Sequence, residues 1–316
     1  MKGVDVIEKS IQLGEPAEHR GVVIAPLFPR RDPRAEYLTL EEALPLGFRI
    51  TEVDAAGSVP ELLARNPLEE PVLLYDGEEL IGAKQNRILN VTVLCAPESE
   101  TLIPVSCVEE GRWRAQSASF AAASHAAYPE LRRRKAEHLS AAPLARGVAQ
   151  SAVWEDVAAK AGRHRIDSPT GAAADIYRGR ERALAALRRA FPLAPGQSGA
   201  LLALGAERLC LDYLSRPATF ARVYPKLLDG YLLDALERLD GKRAETEALT
   251  DFLAEIESAP RNGGPSAGLG TDVRLRGGDV VGSGLELDGE LLQLCAFSTD
   301  GLGFGRTRIS RPSRRA

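Results

Sequence analysis

The sequence feature that most constrains the fold is an Asp-Gly dipeptide, Asp76-Gly77, which lies between two strand-like runs at residues 72–75 and 78–81. Asp-Gly in this setting is the strongest short-range signal for a two-residue β-hairpin, because both central residues of a type I′ turn need a positive φ. A similar frame of apolar run, tight turn, glutamate and second apolar run recurs around residues 202–207 and 285–290. The sequence therefore predicts a fold that contains antiparallel strand pairs.

The recurrence of this frame has two interpretations. One is that the chain contains an internally duplicated α+β unit. The other is that the three segments look alike because few residue types suit a tight turn. The unequal spacing of the three turns excludes a solenoid, in which repeats follow one another at a fixed period.

Other runs predict both strands and helices. Short apolar or alternating runs predict further strands at residues 21–28, 48–53, 90–94 and 101–108. Helices are predicted to begin at Thr39 and Ser58 and to occupy residues 115–162, 168–190, 217–223, 226–239 and 244–257. Because strands and helices do not alternate strictly, we expect an α+β fold, with mixed or antiparallel sheets built from hairpins and helices packed on them.

The chain divides into three predicted segments. Residues 1–65 form an N-terminal strand and helix segment, residues 66–300 an α+β ligand-binding domain, and residues 301–316 a tail. The tail is predicted to be disordered, because from Arg306 onward it carries five arginines and no acid. Within the large segment, the glycine-rich residues 259–284 are predicted to be flexible.

Composition narrows the class of protein. The formal net charge of −4 argues against a general nucleic-acid binder. The basic run Arg132-Arg133-Arg134-Lys135 leaves RNA open as a partner, although the interpretation as a solvated helix face is favoured. No apolar run approaches the roughly 20 residues that cross a bilayer, and the N-terminus lacks a signal-peptide core, so no membrane partner is expected.

Cysteine and histidine usage bears on compartment and metal binding. Four cysteines lie far apart in apolar runs: Cys95, Cys107, Cys210 and Cys295. They favour a cytoplasmic protein with reduced, buried thiols. The chain has no C-x-x-C and no histidine pair at ligand spacing, so no metal site is predicted. Mg²⁺ is the cofactor left open, because one or two carboxylates and a substrate phosphate suffice to hold it.

A dense polar cluster follows the strand predicted at residues 78–81. It supplies a cation, two amides and a guanidinium: Lys84, Gln85, Asn86 and Arg87. Such a set suits a phosphate or a phosphorylated sugar, since arginine offers a bidentate fork and amides orient hydroxyls. The alternative is a solvated polar turn, but the strong strands on either side favour a loop held on a rigid platform.

A second polar cluster follows the strand predicted at residues 101–108. Arg112 and Trp113 are candidates to stack on a base or ribose, and Glu109 is a candidate acceptor for ligand hydroxyls. Trp113 is equally explained as a core aromatic at a strand end. Cys107 is expected to be an inert buried thiol, because no histidine lies near it in sequence.

No nucleophile and base pair can be identified from the sequence, so catalytic residues stay undetermined. Four acids are candidates for a general acid and base if folding brings two of them together: Glu78, Glu79, Glu109 and Asp212. Asp212 is equally explained as a turn acid.

These clusters carry a resemblance to a known family. Residues 77–90, with the run Gly82-Ala83-Lys84-Gln85-Asn86-Arg87, and residues 103–113 are similar to the ADP-ribosylglycohydrolase- and rhodanese/phosphatase-associated protein domain family. The similarity extends through most of residues 70–297, including Asp175-x-Tyr177, Leu211-Asp212 and Lys226-Leu227-Leu228. It implies a role in handling NAD-derived nucleotides such as ADP-ribose, with ADP-ribosylglycohydrolase or phosphatase proteins as partners.

The resulting functional prediction is a binding module for an anionic, NAD-derived nucleotide that acts with partner enzymes. The predicted ligand contacts are Lys84, Gln85, Asn86, Arg87, Glu109, Arg112 and Trp113. One alternative is a hydrolase acting on such a nucleotide, and another is a structural partner protein with no ligand. If the two clusters form one site, Lys84, Gln85 and Arg87 should share a concave surface with Glu109 or Arg112.

Overall fold

The largest element of the fold is a nine-stranded antiparallel sheet. The computed structural model describes residues 10–54, 57–141, 150–205 and 208–299. In spatial order the sheet contains β1 (Ile11–Leu13), β3 (Val22–Pro29), β13 (Gly199–Leu204), β14 (Arg208–Leu214), β18 (Glu290–Ser298), β17 (Val280–Leu287), β16 (Thr271–Gly277) and β15 (Arg261–Pro265), and β2 (Ala17–His19) also pairs with β3.

A second antiparallel sheet has six strands, and a small mixed sheet has three. The six-stranded sheet contains, in order, β12 (Phe120–Ala126), β8 (Glu78–Gly82), β9 (Arg87–Leu89), β11 (Ser99–Cys107), β6 (Glu61–Asn66) and β5 (Arg49–Glu52). The small sheet contains β10 (Val93–Cys95), β7 (Val72–Leu74) and β4 (Leu38–Thr39), and the β4–β7 pair is parallel.

Helices pack between and against these sheets. They are α1 (Leu40–Ala43), α2 (Pro129–Ala141), α3 (Gln150–Arg163), α4 (Ala173–Arg188), α5 (Pro217–Ala235) and α6 (Thr246–Ser258). Helix α5 contacts β12 of one sheet and β13 and β14 of the other, and α2 contacts β16, β17 and β18. The predicted α+β class is therefore confirmed.

Two of the three predicted tight-turn hairpins are confirmed. Strands β17 and β18 pair up to Leu287 and Glu290, with φ of 50° at Asp288 and 75° at Gly289, as a type I′ turn requires. Strands β13 and β14 pair up to Leu204 and Arg208.

The hairpin predicted at Asp76-Gly77 is wrong. A turn forms there, since the Glu78 amide donates to the Tyr75 carbonyl at 3.1 Å, but β7 pairs with β4 and β10 whereas β8 pairs with β9 and β12. The turn is buried, because the Asp76 carboxylate accepts from Arg132 at 3.1 Å and lies 2.9 Å from Lys135. An added Cβ at Gly77 would lie 2.6 Å from the Arg132 side chain. Asp-Gly here turns the chain from one sheet into another.

Two helix predictions are also corrected. The helix predicted at Ser58 is absent, because residues 61–66 form β6 and the Pro60 carbonyl accepts from the Val105 amide at 2.9 Å. Within the predicted helical stretch 115–162, residues 120–126 form β12, which pairs with β8 and buries Phe120. In both cases strand pairing and burial override the local helix signal. At Thr39 the predicted capping box is present, with Glu42 as its partner.

The glycine-rich segment 259–284 forms strands in place of the flexible stretch predicted for it. It contains β15, β16 and the start of β17, all paired in the large sheet. An added Cβ at Gly284 would lie 2.7 Å from the Gln293 carbonyl, so the close approach of β17 to β18 requires glycine at this position.

The predicted boundary between residues 65 and 66 lies inside β6. Residues 10–65 supply β3 to the large sheet and β5 and β6 to the six-stranded sheet, so they are interleaved with the rest of the chain. The predicted tail, residues 301–316, lies outside the described residues. In the described part of the chain, no helix is long and apolar enough to cross a membrane.

Candidate functional site

The loop that links β8 to β9 carries the first predicted cluster and is mostly buried. Lys84 is half-buried, whereas Gln85, Asn86 and Arg87 are buried. Gly82 faces the chain itself, because an added Cβ there would lie 2.5 Å from Ser117 Oγ. The loop is therefore not a solvated turn, and its backbone is packed against residues 116–119.

Arg112 and Glu109 hold this loop in place. Arg112 donates to both Glu109 carboxylate oxygens, at 2.9 and 2.7 Å, to the Ala83 carbonyl at 2.7 Å and to Asn86 Oδ1 at 3.1 Å. The Asn86 amide donates to Glu109 Oε2 at 3.1 Å. Burial raises the pKa of Glu109, but these hydrogen bonds outweigh that effect and leave it below its ordinary value. The structure thus brings the two predicted clusters together, with Arg112 and Glu109 as an internal clamp.

Arg87 lies beneath the loop with no exposed surface. Its Nη1 donates to the backbone and side-chain oxygens of Gln85, each at 3.2 Å, and its Nη2 lies 3.9 Å from Glu52 Oε1. Its Nε and Nη2 have no hydrogen-bond partner among the described residues. Burial lowers the pKa of Arg87, and Glu52 offsets part of that effect. The guanidinium therefore retains donors that the protein does not use.

Trp113 covers this cationic pair. The Lys84 Nζ lies 5.3 Å from the Trp113 ring centroid and the Arg87 Cζ lies 5.8 Å from it, both within cation–π range. Trp113 is 50% exposed, so it is not the core aromatic that was the alternative interpretation. We name Lys84 and Trp113, with Arg87 below them, the Lys84–Trp113 surface.

Glu52 belongs to this region and was missed by the sequence analysis. It ends β5, and its Oε1 accepts from the Lys84 amide at 3.2 Å. Nothing in the alternating run 48–53 links Glu52 to a loop more than thirty residues later, because the contact arises only when the folded sheet brings β5 against β12, the strand that pairs with β8 beside the loop.

Asp212 lies within β14 and is not a turn acid. It accepts two hydrogen bonds from Arg132, at 2.8 and 2.6 Å, and one from the Tyr231 hydroxyl at 2.7 Å. Arg132 is fully buried and also contacts Asp76. These bonds satisfy Asp212 as part of a buried ion-pair network that joins α2, β14 and the Tyr75–Glu78 turn.

The basic run at residues 132–135, which left RNA open as a partner, is paired with acids throughout. Arg132 and Lys135 are buried against Asp76. Arg133 pairs with Glu137, and Arg134 pairs with Glu130 and Asp156. This pairing balances the positive charge of the run.

Glu78, at the start of β8, is the least satisfied of the candidate acids. It is 1% exposed, and neither carboxylate oxygen has a hydrogen-bond partner in the described ranges. Burial raises its pKa to about 8, and the nearby polar backbone of Tyr75 offsets only part of that effect. The Lys226 Nζ lies 3.9 Å from Glu78 Oε1, and burial lowers the pKa of Lys226 to about 8. A carboxyl and an amine that both titrate near neutral pH are suited to proton transfer.

The remaining candidates are separate from Glu78. Glu79 Oε2 is hydrogen-bonded to His125 Nε2 at 2.9 Å, and the His125 ring stacks on Tyr177 with centroids 3.9 Å apart. Glu109 lies beyond the far end of β8, a strand that spans about 13 Å at 3.3 Å per residue. Glu78 and Glu109 therefore do not form a carboxylate pair.

Thiol and metal chemistry receive no support from the described residues. All four cysteines are buried and free of disulfides, and burial raises the pKa of Cys107 to about 11. Across the described ranges, no group of three or more histidine, cysteine or acidic side chains is arranged to hold a metal ion.

Comparisons with known proteins bear on identity. No curated protein and no solved structure matches the chain. The model of one family, described as the ARG and Rhodanese-Phosphatase-superfamily-associated Protein domain, matches residues 10–297. That span includes all three sheets, the Lys84–Trp113 surface and Glu78. The chain therefore belongs to the ARG and Rhodanese-Phosphatase-superfamily-associated Protein domain family.

Proposed function

We propose that the chain binds an anionic, nucleotide-like molecule at the Lys84–Trp113 surface. The observation that carries the proposal is a half-exposed indole with two cations against it, at 5.3 and 5.8 Å. A nucleotide offers the two complementary features, because its base stacks on an aromatic face and its phosphates pair with an ammonium.

The buried layer below supports this assignment. Arg87 has two nitrogen atoms without hydrogen-bond partners in the described chain. The partly paired guanidinium of Arg87 adds positive charge beneath this surface. Glu52 Oε1 lies 3.9 Å from Arg87 Nη2. Two cations beside one half-exposed indole support a ligand that carries negative charge.

The family name narrows the ligand class. It records an association with ARG proteins and with the rhodanese-phosphatase superfamily. We take ARG as ADP-ribosylglycohydrolase, as the sequence resemblance implies, so that the ligand is an NAD-derived nucleotide such as ADP-ribose or a phosphorylated derivative. On this proposal, the chain binds the nucleotide and acts with such partner enzymes.

Isothermal titration calorimetry with ADP-ribose, ADP and NAD tests the proposal. We expect Trp113→Ala and Lys84→Met each to weaken binding about tenfold or more, because a stacked base contributes roughly 1–3 kcal/mol and a charge-assisted bond about 1.5–3 kcal/mol. Leu193→Ala is the control for an exposed apolar side chain, and Lys242→Met is the control for a surface lysine.

Two results contradict the proposal. One is that the wild-type chain binds none of the three nucleotides. The other is that Trp113→Ala and Lys84→Met bind them as tightly as the two control variants do.

A further inference from the structure

A second group of unsatisfied polar atoms lies at the opposite end of β8 from the Lys84–Trp113 surface. Both oxygens of Glu78 and the Tyr75 hydroxyl are buried without a hydrogen-bond partner in the described residues. Tyr75 and Glu78 are the first and last residues of one turn, closed by the 3.1 Å bond between their backbones. Buried polar atoms in folded proteins are almost always paired, so unpaired ones in one place point to a missing partner.

Two further side chains reach this turn from helices. Lys226 of α5 lies with its Nζ 3.9 Å from Glu78 Oε1, and Glu41 of α1 forms an ion pair with the same Nζ. The Glu41 side chain is 35% exposed, whereas those of Lys226 and Glu78 are nearly buried. Glu41 therefore forms the solvent side of the group, and Glu78 lies at its buried side. Tyr75, three residues before Glu78, is buried as well.

Glu79 does not belong to this group. Successive side chains of a strand point to opposite faces, so Glu79 is directed away from Glu78, and it already contacts His125 at 2.9 Å. The group therefore consists of Glu41, Tyr75, Glu78 and Lys226, and we name it the Glu78 cluster.

The charges of the Glu78 cluster restrict what it can hold. Two carboxyl groups, Glu41 and Glu78, disfavour an anion. The Lys226 ammonium, 3.9 Å from Glu78, disfavours a second cation. A neutral group that both donates and accepts hydrogen bonds suits all four side chains, since carboxyl oxygens accept, an ammonium donates and a phenol does either.

We infer that the Glu78 cluster is a binding site for a hydroxyl pair of a sugar, with Glu78 and Tyr75 bonded to the hydroxyls and Lys226 donating from the side of α5. In the unliganded chain Glu41 pairs with Lys226, and an entering diol replaces Glu41 as the partner of that ammonium. This inference does not depend on the proposed function of the Lys84–Trp113 surface, which uses other residues.

The test compares two neutral probes that differ by one hydroxyl. Ribose has a vicinal diol at C2 and C3, and 2-deoxyribose lacks it. We expect ribose, titrated to about 10 mM, to raise the melting temperature of the full chain by mass action. The apparent affinity for 2-deoxyribose should be at least tenfold weaker. Glu78→Gln and Lys226→Met should each remove the preference, whereas Trp113→Ala should retain it.

Three results overturn the inference. The first is equal binding of the two sugars by the wild-type chain, and the second is no binding of either. The third is an unchanged preference in both Glu78→Gln and Lys226→Met, which would leave a buried water as the partner of Glu78. If Glu78→Gln does not fold, the inference is tested by the diol preference of Lys226→Met and by the difference between the two sugars on the wild-type chain. A loss of nucleotide binding in Trp113→Ala with the diol preference intact separates this site from the proposed one.

Discussion

Replacing Glu78 with glutamine should stabilise the chain, and increasingly so as the pH rises. The pKa of Glu78 is raised from 4.5 to about 8 in the folded chain. A carboxyl group whose pKa is higher in the folded chain than in the unfolded chain does not lower the free energy of unfolding at a pH below its unfolded pKa. As the pH rises from the unfolded pKa to the folded pKa, that free energy falls. Wild-type stability should therefore fall between about pH 4.5 and pH 8, whereas Glu78→Gln lacks this loss because glutamine does not ionise.

The size of the effect follows from two opposing terms. Each pKa unit corresponds to about 1.4 kcal/mol, so a shift from 4.5 to about 8 sets a ceiling of about 5 kcal/mol. Lys226 reduces this figure, because opposite charges about 4 Å apart attract by about 4 kcal/mol at an effective dielectric constant of 20. We therefore expect Glu78→Gln to gain about 1–5 kcal/mol of unfolding free energy relative to wild type between pH 5 and pH 8.

Lys226 provides the matched control for this reasoning. In a Lys226→Met background the attraction is absent, so the pH-dependent gain from Glu78→Gln should move towards the ceiling. Urea unfolding of the wild type, both single variants and the double variant at pH 5, 6.5 and 8 measures all the required differences.

A gain that is the same at every pH would contradict the raised pKa of Glu78. A pH-dependent gain that is no larger in the Lys226→Met background would show instead that Lys226 does not interact with Glu78. Either result would remove the physical basis for a proton-sharing pair at this position.

Three further predictions concern buried residues: Asp212, Arg112 and the four cysteines. Asp212→Asn should destabilise the chain by about 3–5 kcal/mol in urea unfolding, because it removes a charge from the buried Arg132 ion pair, and an unchanged midpoint would contradict the network. Arg112→Lys should lower stability and expose the loop between β8 and β9 to proteolysis, since lysine cannot bond both Glu109 oxygens and Ala83 at once, and wild-type resistance would show that the clamp is dispensable. The four cysteines should resist a thiol reagent until denaturant is added, because all are buried and the pKa of Cys107 is about 11, so rapid labelling of Cys107 in the native chain would contradict its burial.

The antiparallel α+β class could be predicted from the sequence, because it depends on local signals. The Asp288-Gly289 turn and the strands beside it are contiguous, and turn chemistry alone determines their pairing. The same dipeptide at Asp76-Gly77 predicts a hairpin equally well, but the strands on either side of it do not pair with each other. Its environment is set by Arg132 and Lys135, which lie more than fifty residues away and bury the turn. A local pattern cannot record that kind of contact.

The candidate site shows the same division. The segments 84–87 and 109–113 could be identified because each concentrates unusual side chains within a few residues. Glu52 carries no such signal, since it is a single acid at the end of an ordinary strand. It reaches the loop only because the folded sheet brings β5 against β12. Sequence reasoning therefore found the dense clusters and missed the isolated acid that contacts them.

The structure also separates residues that the sequence groups together. Arg87 and Arg112 belong to neighbouring clusters and are both buried, so residue type and exposure do not distinguish them. Arg112 donates to Glu109, Ala83 and Asn86, whereas Arg87 bonds only Gln85 through Nη1 and has two further nitrogens without hydrogen-bond partners in the described ranges. A cation whose donors are engaged stabilises the loop, and one with donors to spare leaves charge available to a ligand above it. Binding is therefore proposed at the surface over Arg87 because Arg87 has unused hydrogen-bond donors. The presence of a buried arginine alone would not distinguish it from Arg112.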